Sequence, residues 1–187
     1  MAEKTIGINM KTKTVIAGIL LAMFPAGEIL ARDITSLQLM FAAKQAFPDL
    51  KEISVLVSQR RFAVEKKNIA RAASQTQLKA KVYVVQNALD IGSSLSKVSD
   101  GGVLIIFDSD VLSKKKSKLY ILSKCKPRQV AIITSSREYA ELGALLSIVT
   151  DENEKVKMVL NLKHNNQLKT RFTKAVIQKV GISEVIE

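Results

Sequence analysis

The chain has 187 residues, 47% of them hydrophobic, and its 29 Lys and Arg residues outnumber 17 Asp and Glu residues, for a net charge of +12. This apolar content excludes a disordered chain, and the length suits one domain. The single cysteine, Cys125, excludes an internal disulfide framework, and the single histidine, His164, argues against histidine-based metal sites and triads. With no Trp and few Tyr or Phe, the sequence offers little surface for stacking nucleic-acid bases.

The first 31 residues have the three-part layout of a secretory signal peptide. Lys11 and Lys13 after Met10 form a basic start, residues 15–24 are an uncharged apolar run, and Ala31 is a small residue at a possible cleavage position. The nine residues before Met10 would be an upstream start or an extended basic region. The run is shorter than the roughly 20 residues that cross a bilayer. We therefore predict a signal peptide at residues 1–31, a single α/β domain at residues 32–187, and a periplasmic location. The alternative is a buried first helix of a cytosolic domain.

Short apolar runs alternate with helical patterns along the rest of the chain. The first helix is predicted at residues 37–47, where Thr35 and Ser36 are N-cap residue types and Pro48 ends the pattern. Nearly continuous apolar runs predict strands buried on both faces, at residues 53–57, 82–85, 103–107 and 130–133. Helical spacing predicts further helices at residues 64–73, 88–98, 111–123 and 136–142.

The pattern changes after Gly143. Two apolar runs, at residues 144–149 and 156–160, flank a polar turn at residues 151–154 and predict a β-hairpin, and a terminal helix is predicted at residues 165–180. Strands that alternate with helices indicate a parallel sheet covered on both faces. The predicted fold class is α/β, a flavodoxin-like or Rossmann-like parallel sheet with a C-terminal β-hairpin and a closing helix.

Polar side chains follow the predicted strands at the edge where ligands of open parallel sheets bind. The candidate ligand-binding residues are Ser58, Gln59, Asp108, Ser135, Ser136 and Arg137. Hydroxyl and amide groups would hydrogen-bond a small polar ligand, and Arg137 would pair with its carboxylate or phosphate. Helix N-termini at this edge also favour an anionic group. The alternative role is capping, with Ser135 and Glu138 forming a capping box and Asp110 capping the next helix.

Catalytic motifs are absent from the sequence. There is no glycine-rich phosphate loop and no nucleophile elbow. The basic neighbours of Cys125 favour a lowered thiol pKa, but we interpret this residue as an incidental thiol at a helix end. Asp108 and Asp110 are only two carboxylates, too few to predict a metal site. We predict binding without catalysis, cofactor or metal.

The positive charge is concentrated in three groups, at residues 60–81, 114–128 and 155–179. A solvated surface is the simplest interpretation, and an anionic membrane lipid or an acidic protein is the alternative. Export would exclude nucleic acid. The predicted partners are therefore a small polar or anionic ligand and a membrane protein, with a homodimer also considered.

Several segments resemble the ABC-type periplasmic substrate-binding proteins. Residues 48–51 (PDLK) before ISVLV are similar to the approach to the second lobe of those proteins, and residues 102–108, 136–139 and 143–145 continue the likeness. VLNLK at residues 159–163 resembles their closing segment. The resemblance implies half of a periplasmic binding protein and a ligand-binding role, although those proteins enclose the ligand between two lobes and this chain has the length for one.

From residue 133 onward the spacing also resembles the YfiR-like periplasmic regulators, which repress membrane-bound diguanylate cyclases. Residues 143–148, 156–162 and the terminal helix correspond to their tail, but the Trp and cysteines of their early part are missing here. We expect an exported, non-enzymatic, single-lobe binding protein. The alternative is a YfiR-like regulator of a membrane cyclase or kinase, and a third hypothesis is a cytosolic nucleic-acid-binding protein.

Overall fold

A seven-stranded sheet organises residues 34–187, the part of the chain that the computed structural model describes. The strands lie in the order β2-β1-β3-β4-β5-β6-β7; β1 to β5 are parallel, β6 is antiparallel to β5, and β7 is parallel to β6. Their bounds are β1 Glu52–Ser58, β2 Lys79–Val85, β3 Val103–Ile106, β4 Ala131–Thr134, β5 Leu146–Thr150, β6 Val156–Asn161 and β7 Glu184–Ile186. The predicted signal peptide lies outside the described residues.

Helices cover both faces of the sheet. Their bounds are α1 Ser36–Ala46, α2 Gln59–Gln75, α3 Ala88–Leu95, α4 Lys115–Cys125, α5 Arg137–Leu142 and α6 Lys174–Val180. One core contains α1, α2 and α6, and the other contains α3, α4 and α5. In β3, Val103 and Ile105 face the first core while Leu104 and Ile106 face the second. This confirms the predicted α/β class, because strands buried on both faces need apolar residues at every position.

The lysine-rich helix begins later than predicted. Residues 111–123 were expected to be helical, but Asp110–Leu112 form a 3₁₀ turn and α4 starts at Lys115. Asp110 has a φ of 50°, in the left-handed region, and Lys114 is extended, so the chain cannot pass directly from the strand into a helix. The turn buries Leu112 completely and sets the direction of α4.

The predicted hairpin is confirmed, but the predicted helix at residues 165–180 is wrong in its first half. β5 and β6 pair in an antiparallel hairpin. After β6, Asn166–Arg171 form a 3₁₀ helix, and Phe172 then leaves helical geometry to pack edge-on against Phe47, with 6.4 Å between the ring centroids. Thr173 caps α6, and the short strand β7 follows, which the sequence pattern did not predict.

In the described part of the chain, no helix combines the length and the apolar character that crossing a membrane requires. The first helix, α1, is eleven residues long, and six of its residues are buried. Its N-cap is Thr35, as predicted, and Gln38 completes a capping box with it.

Candidate functional site

The order of the strands places a crevice between β1 and β3. From β1 the chain moves to β2 on one side, and from β2 it returns to β3 on the other side. The loops that leave β1 and β3 therefore diverge, which is the arrangement that creates ligand sites in open α/β sheets. A cavity of about 100 Å³ lies at this carboxyl edge and is lined by Ile34, Arg61, Phe107, Asp108, Ser109 and Ser135.

Ser58 at the end of β1 connects three segments of this edge by hydrogen bonds. Its hydroxyl donates a hydrogen bond to Oδ2 of Asp110 at 2.6 Å and accepts one from the backbone N–H of Arg61 at 3.3 Å. The Ser109 hydroxyl lies 3.0 Å away, and it must be the donor because the proton of Ser58 is directed at Asp110. Ser58 thus joins β1, the loop after β3 and the N-terminus of α2, where it is the N-cap.

Asp108 belongs to a buried charge cluster. Nζ of Lys118 on α4 donates to Oδ2 of Asp108 at 2.9 Å and to Oε2 of Glu138 at 2.6 Å. Burial of Lys118 lowers its pKa, but the hydrogen bonds to Glu138 and Asp108 outweigh that effect and leave the pKa above its ordinary value. The ammonium also lies 5.1 Å from the centroid of the Tyr139 ring. Lys118 is therefore protonated, and its ammonium group holds the carboxylate of Asp108 in place.

Two polar atoms at this edge have unused hydrogen-bonding capacity. Oδ1 of Asp108 and Oγ1 of Thr134 are buried and have no hydrogen-bond partner among residues 34–187. Asp108 follows β3, and Thr134 ends the neighbouring strand β4. A buried polar group left unpaired costs about 1–3 kcal/mol. Of the two residues only Asp108 lines the cavity, so Asp108 is the one suited to a partner from outside the chain.

Arg61 brings a positive charge to the wall of the cavity. Its guanidinium is 3.2 Å from Oε1 of Glu65, one turn along α2. Glu65 is itself buried and accepts hydrogen bonds from Ser36 at 2.8 Å and from Asn68 at 3.3 Å. The anchoring of Glu65 to α1 restricts the positions that Arg61 can take. The sequence pattern placed Arg61 only in a basic cluster, because its position at the cavity depends on the packing of α1 against α2.

The structure brings together some of the predicted ligand-binding residues and separates others. Asp108 and Ser135 line the cavity, and Ser58 is hydrogen-bonded to Ser109 of its lining. Gln59 is the exposed first residue of α2, Ser136 caps α5 through the N–H of Tyr139, and neither lines the cavity. Arg137 also lies outside the lining.

Arg137 is exposed and is engaged by two acids. Its guanidinium donates to both carboxylate oxygens of Glu184 on β7, at 2.9 and 3.2 Å, and to Glu141 at 3.1 Å. These partners, Glu184 first, raise its pKa further above the ordinary arginine value. The predicted ligand-binding roles of these residues remain predictions.

Two of the predicted capping roles are wrong. The cap of α5 is Ser136 rather than Ser135, and the N-cap of α4 is Lys114, because Asp110 is held in the preceding 3₁₀ turn by Ser58. The expected lowering of the Cys125 pKa is also wrong. Burial raises this pKa to about 12, and the opposing effect of Arg128 is smaller. Among the described residues, no cluster of three or more acidic, His or Cys side chains is arranged to hold a metal ion.

The sequence matches no protein-family model and no curated protein. Solved structures, however, share the fold. A conserved domain protein from Vibrio cholerae has a TM-score of 0.70 and 14% identity, and the match covers 82% of this chain and 61% of that one. An ABC domain from Streptococcus pneumoniae in complex with L-Trp has a TM-score of 0.66 and 18% identity, with coverages of 81% and 60%.

A third similar structure is the ligand-free, open form of a substrate-binding protein with adhesive properties from Clostridium difficile. Its TM-score is 0.62 and its identity 12%, and the match covers 82% of this chain and 60% of that one. The chain thus matches about 60% of the length of the solved structures it resembles. At these identities the likeness shows the fold alone: this chain has an α/β fold that it shares with these three structures.

Proposed function

We propose that this protein is an exported, non-enzymatic binding protein whose single lobe holds a small polar ligand at the carboxyl edge of the sheet. The observation that carries the proposal is that Asp108, whose buried Oδ1 has no hydrogen-bond partner among residues 34–187, lines a cavity that Arg61 also lines. A carboxylate oxygen accepts a hydrogen bond from an amine or hydroxyl, and a guanidinium binds a carboxylate or phosphate. A ligand that bears both kinds of group would use both residues.

The size and charge of the cavity favour the polar end of an α-amino acid. A volume of about 100 Å³ accommodates an ammonium and a carboxylate group but not a large side chain, which would project from the crevice. One of the proteins with this fold is in complex with L-Trp, an α-amino acid. The Ser109 and Ser135 hydroxyls would complete the hydrogen bonds of such a head group.

The proposal includes that the protein catalyses no reaction. Lys118 is held as a cation by two carboxylates, and Cys125 is buried as a neutral thiol, so neither is a ready nucleophile. His164 lines a groove on the opposite edge of the sheet and is out of reach of the cavity. These positions support binding as the function of the carboxyl edge.

Calorimetry with a panel of L-amino acids and short hydroxy acids tests ligand binding. We expect saturable binding of at least one compound by the wild-type protein, weakened at least tenfold by Asp108→Asn and by Arg61→Gln. Arg60→Gln is the matched control, because Arg60 is exposed and does not line the cavity. Binding that is equally strong in the wild-type protein and Asp108→Asn, or no binding at all, contradicts the proposal.

Export is tested separately by fractionating cells and sequencing the N-terminus of the mature chain. The proposal expects periplasmic protein that begins after Ala31. An uncleaved chain in the cytosol would contradict export and leave the ligand site unaffected.

The β5–β6 hairpin favours a second candidate function, regulation of a membrane signalling protein. This hairpin belongs to the segment that resembles the YfiR-like regulators. Co-purification from detergent-solubilised membranes with a cyclase or kinase would support this candidate, whereas co-purification with a permease would support transport.

A further inference from the structure

A groove of about 210 Å³ lies at the amino edge of the sheet, at the opposite end of the strands from the ligand cavity. It is bordered by the last turns of α4 and α5, by the start of β4 and by the loop after β6. The residues that matter here are Leu119, Leu122, Lys126, Leu142, His164 and Asn165. The groove is open to solvent, and in its interior Leu119 and Leu122 present apolar surface.

One stripe along α4 gives the groove an ordered pattern of side chains. Lys115, Leu119, Leu122 and Lys126 are spaced at helical positions i, i+4, i+7 and i+11, so they share one face. Leu119 is 47% exposed. The stripe therefore has two leucines at its centre and a lysine at each end.

The charged residues of α4 are all basic. Between Asp110 and Glu138 the sequence contains no acidic residue. Within residues 34–187, no acid lies within ion-pair distance of any of the exposed lysines on and beside α4, which are Lys114, Lys115, Lys116, Lys124 and Lys126. Among the described residues, no carboxylate lines the groove. Such a surface attracts a partner that carries negative charge.

The walls of the groove are fixed by side-chain amides. Nδ2 of Asn165 donates to the carbonyl oxygens of Gly143 at 3.1 Å and Asn161 at 2.8 Å, and Nδ2 of Asn161 donates to Ala140 at 2.7 Å. Gly143 has a φ of 128°, and a Cβ there would lie 3.2 Å from His164. The glycine thus permits His164 to pack closely, and the groove is largely preformed, which lowers the entropic cost of binding.

From this stripe and its charge we propose that the groove binds an acidic amphipathic helix of a partner protein, with two apolar side chains on Leu119 and Leu122 and acidic residues on Lys115 and Lys126. This is the helix-in-groove mode of peptide recognition. A second copy of this chain would set lysines against lysines. A flat bilayer cannot enter a groove, and nucleic acid would leave the two leucines uncovered.

Fluorescence anisotropy with a labelled peptide tests this proposal. The patterned peptide is an Ala-rich helix of roughly 16 residues with Glu at positions i and i+11 and Leu at i+4 and i+7. The control peptide has the same composition in scrambled order. We expect saturable binding of the patterned peptide only. We expect it to weaken about tenfold, or about 1.4 kcal/mol, in Leu119→Ala and in Lys126→Glu.

Matched controls separate this site from general attraction to a basic protein. Leu89 and Lys67 are exposed residues on α3 and α2. Leu89→Ala and Lys67→Glu therefore make the same two substitutions outside the groove. Both should bind the patterned peptide like the wild-type protein. Equal losses in the groove and control variants, equal binding of the scrambled peptide, or no binding would overturn the proposal. So would tighter, Leu119-dependent binding to phosphatidylglycerol vesicles or duplex DNA.

Discussion

Nζ of Lys118 lies 2.9 Å from Oδ2 of Asp108, which joins the first turn of α4 to the loop that leaves β3. The lysine side chain is only 3% exposed, and its second partner, Glu138, is half-exposed on α5. One buried cation therefore connects three elements at the carboxyl edge. It also fixes the orientation of Asp108, whose other oxygen has no hydrogen-bond partner within residues 34–187.

Lys118→Met should destabilise the protein. Removing the cation leaves the Asp108 carboxylate buried without its partner. The more exposed Glu138 carboxylate can instead be hydrated by solvent. We expect the free energy of unfolding in urea to fall by about 3 kcal/mol. The exposed neighbour provides the control, since Lys116→Met should change this free energy by less than about 0.5 kcal/mol. Equal stability of the two variants would mean that the buried cluster contributes nothing.

The ion pair between Arg137 and Glu184 should hold β7 against α5. Arg137→Gln and Glu184→Gln should each speed hydrogen exchange at the amides of Leu162 and Lys163, which donate to the carbonyl of Ile186 in β7. NMR-detected exchange measures this, and Arg60→Gln should have no effect. If Arg137 acts on a ligand instead, Arg137→Gln will weaken ligand binding while Glu184→Gln will not.

Cys125 should be unreactive in the folded protein. Burial raises its pKa to about 12, so almost no thiolate exists at about pH 8, and the sulfur is not exposed to a reagent. Labelling with a disulfide reagent should be slow in buffer and fast in urea. Ser123→Cys, which adds an exposed thiol to the same helix, should label rapidly in buffer. Fast labelling of Cys125 without denaturant would contradict the described burial.

The Asp151 carboxylate should titrate below the ordinary range of aspartate. The backbone N–H of Lys155 and the ammonium of Lys157 are the main causes of the lowered pKa, and the N–H of Asn153 adds to them. Because the folded-state pKa is the lower one, this stabilisation is present above the unfolded pKa and is lost as the pH falls through the folded pKa. Carboxyl NMR titration measures it. Lys157→Gln should raise the pKa of Asp151, and Lys174→Gln should not.

The buried strands were predictable because burial on both faces requires nearly continuous runs of apolar residues. Residues 103–107 were predicted for β3, and the strand is Val103–Ile106. β2 is an edge strand with exposed lysines, and its first residues were missed because they lack the apolar pattern that marks its end. The strand β7 has only three residues, and its formation depends on pairing with β6, which no local pattern encodes.

The site was harder to predict than the fold. The sequence places Asp108 and Ser135 after the ends of parallel strands, and both line the cavity there; their role as ligand contacts stays a prediction. Lys118 was indistinguishable from the lysines around it, since its burial depends on acids from two other elements. Arg137 follows β4 in sequence, yet its direction is set by Glu184, forty-seven residues further along the chain.

The path of α4 links the two ends of the sheet mechanically. Lys118 faces Asp108 at the ligand cavity, while Leu119 and Leu122, within the next turn, line the groove. A helix moves as a rigid element, so a displacement of α4 that a ligand drives through Asp108 also moves the two leucines. Any such coupling is reciprocal: the factor by which a ligand changes affinity at the groove equals the factor by which a groove partner changes affinity for the ligand.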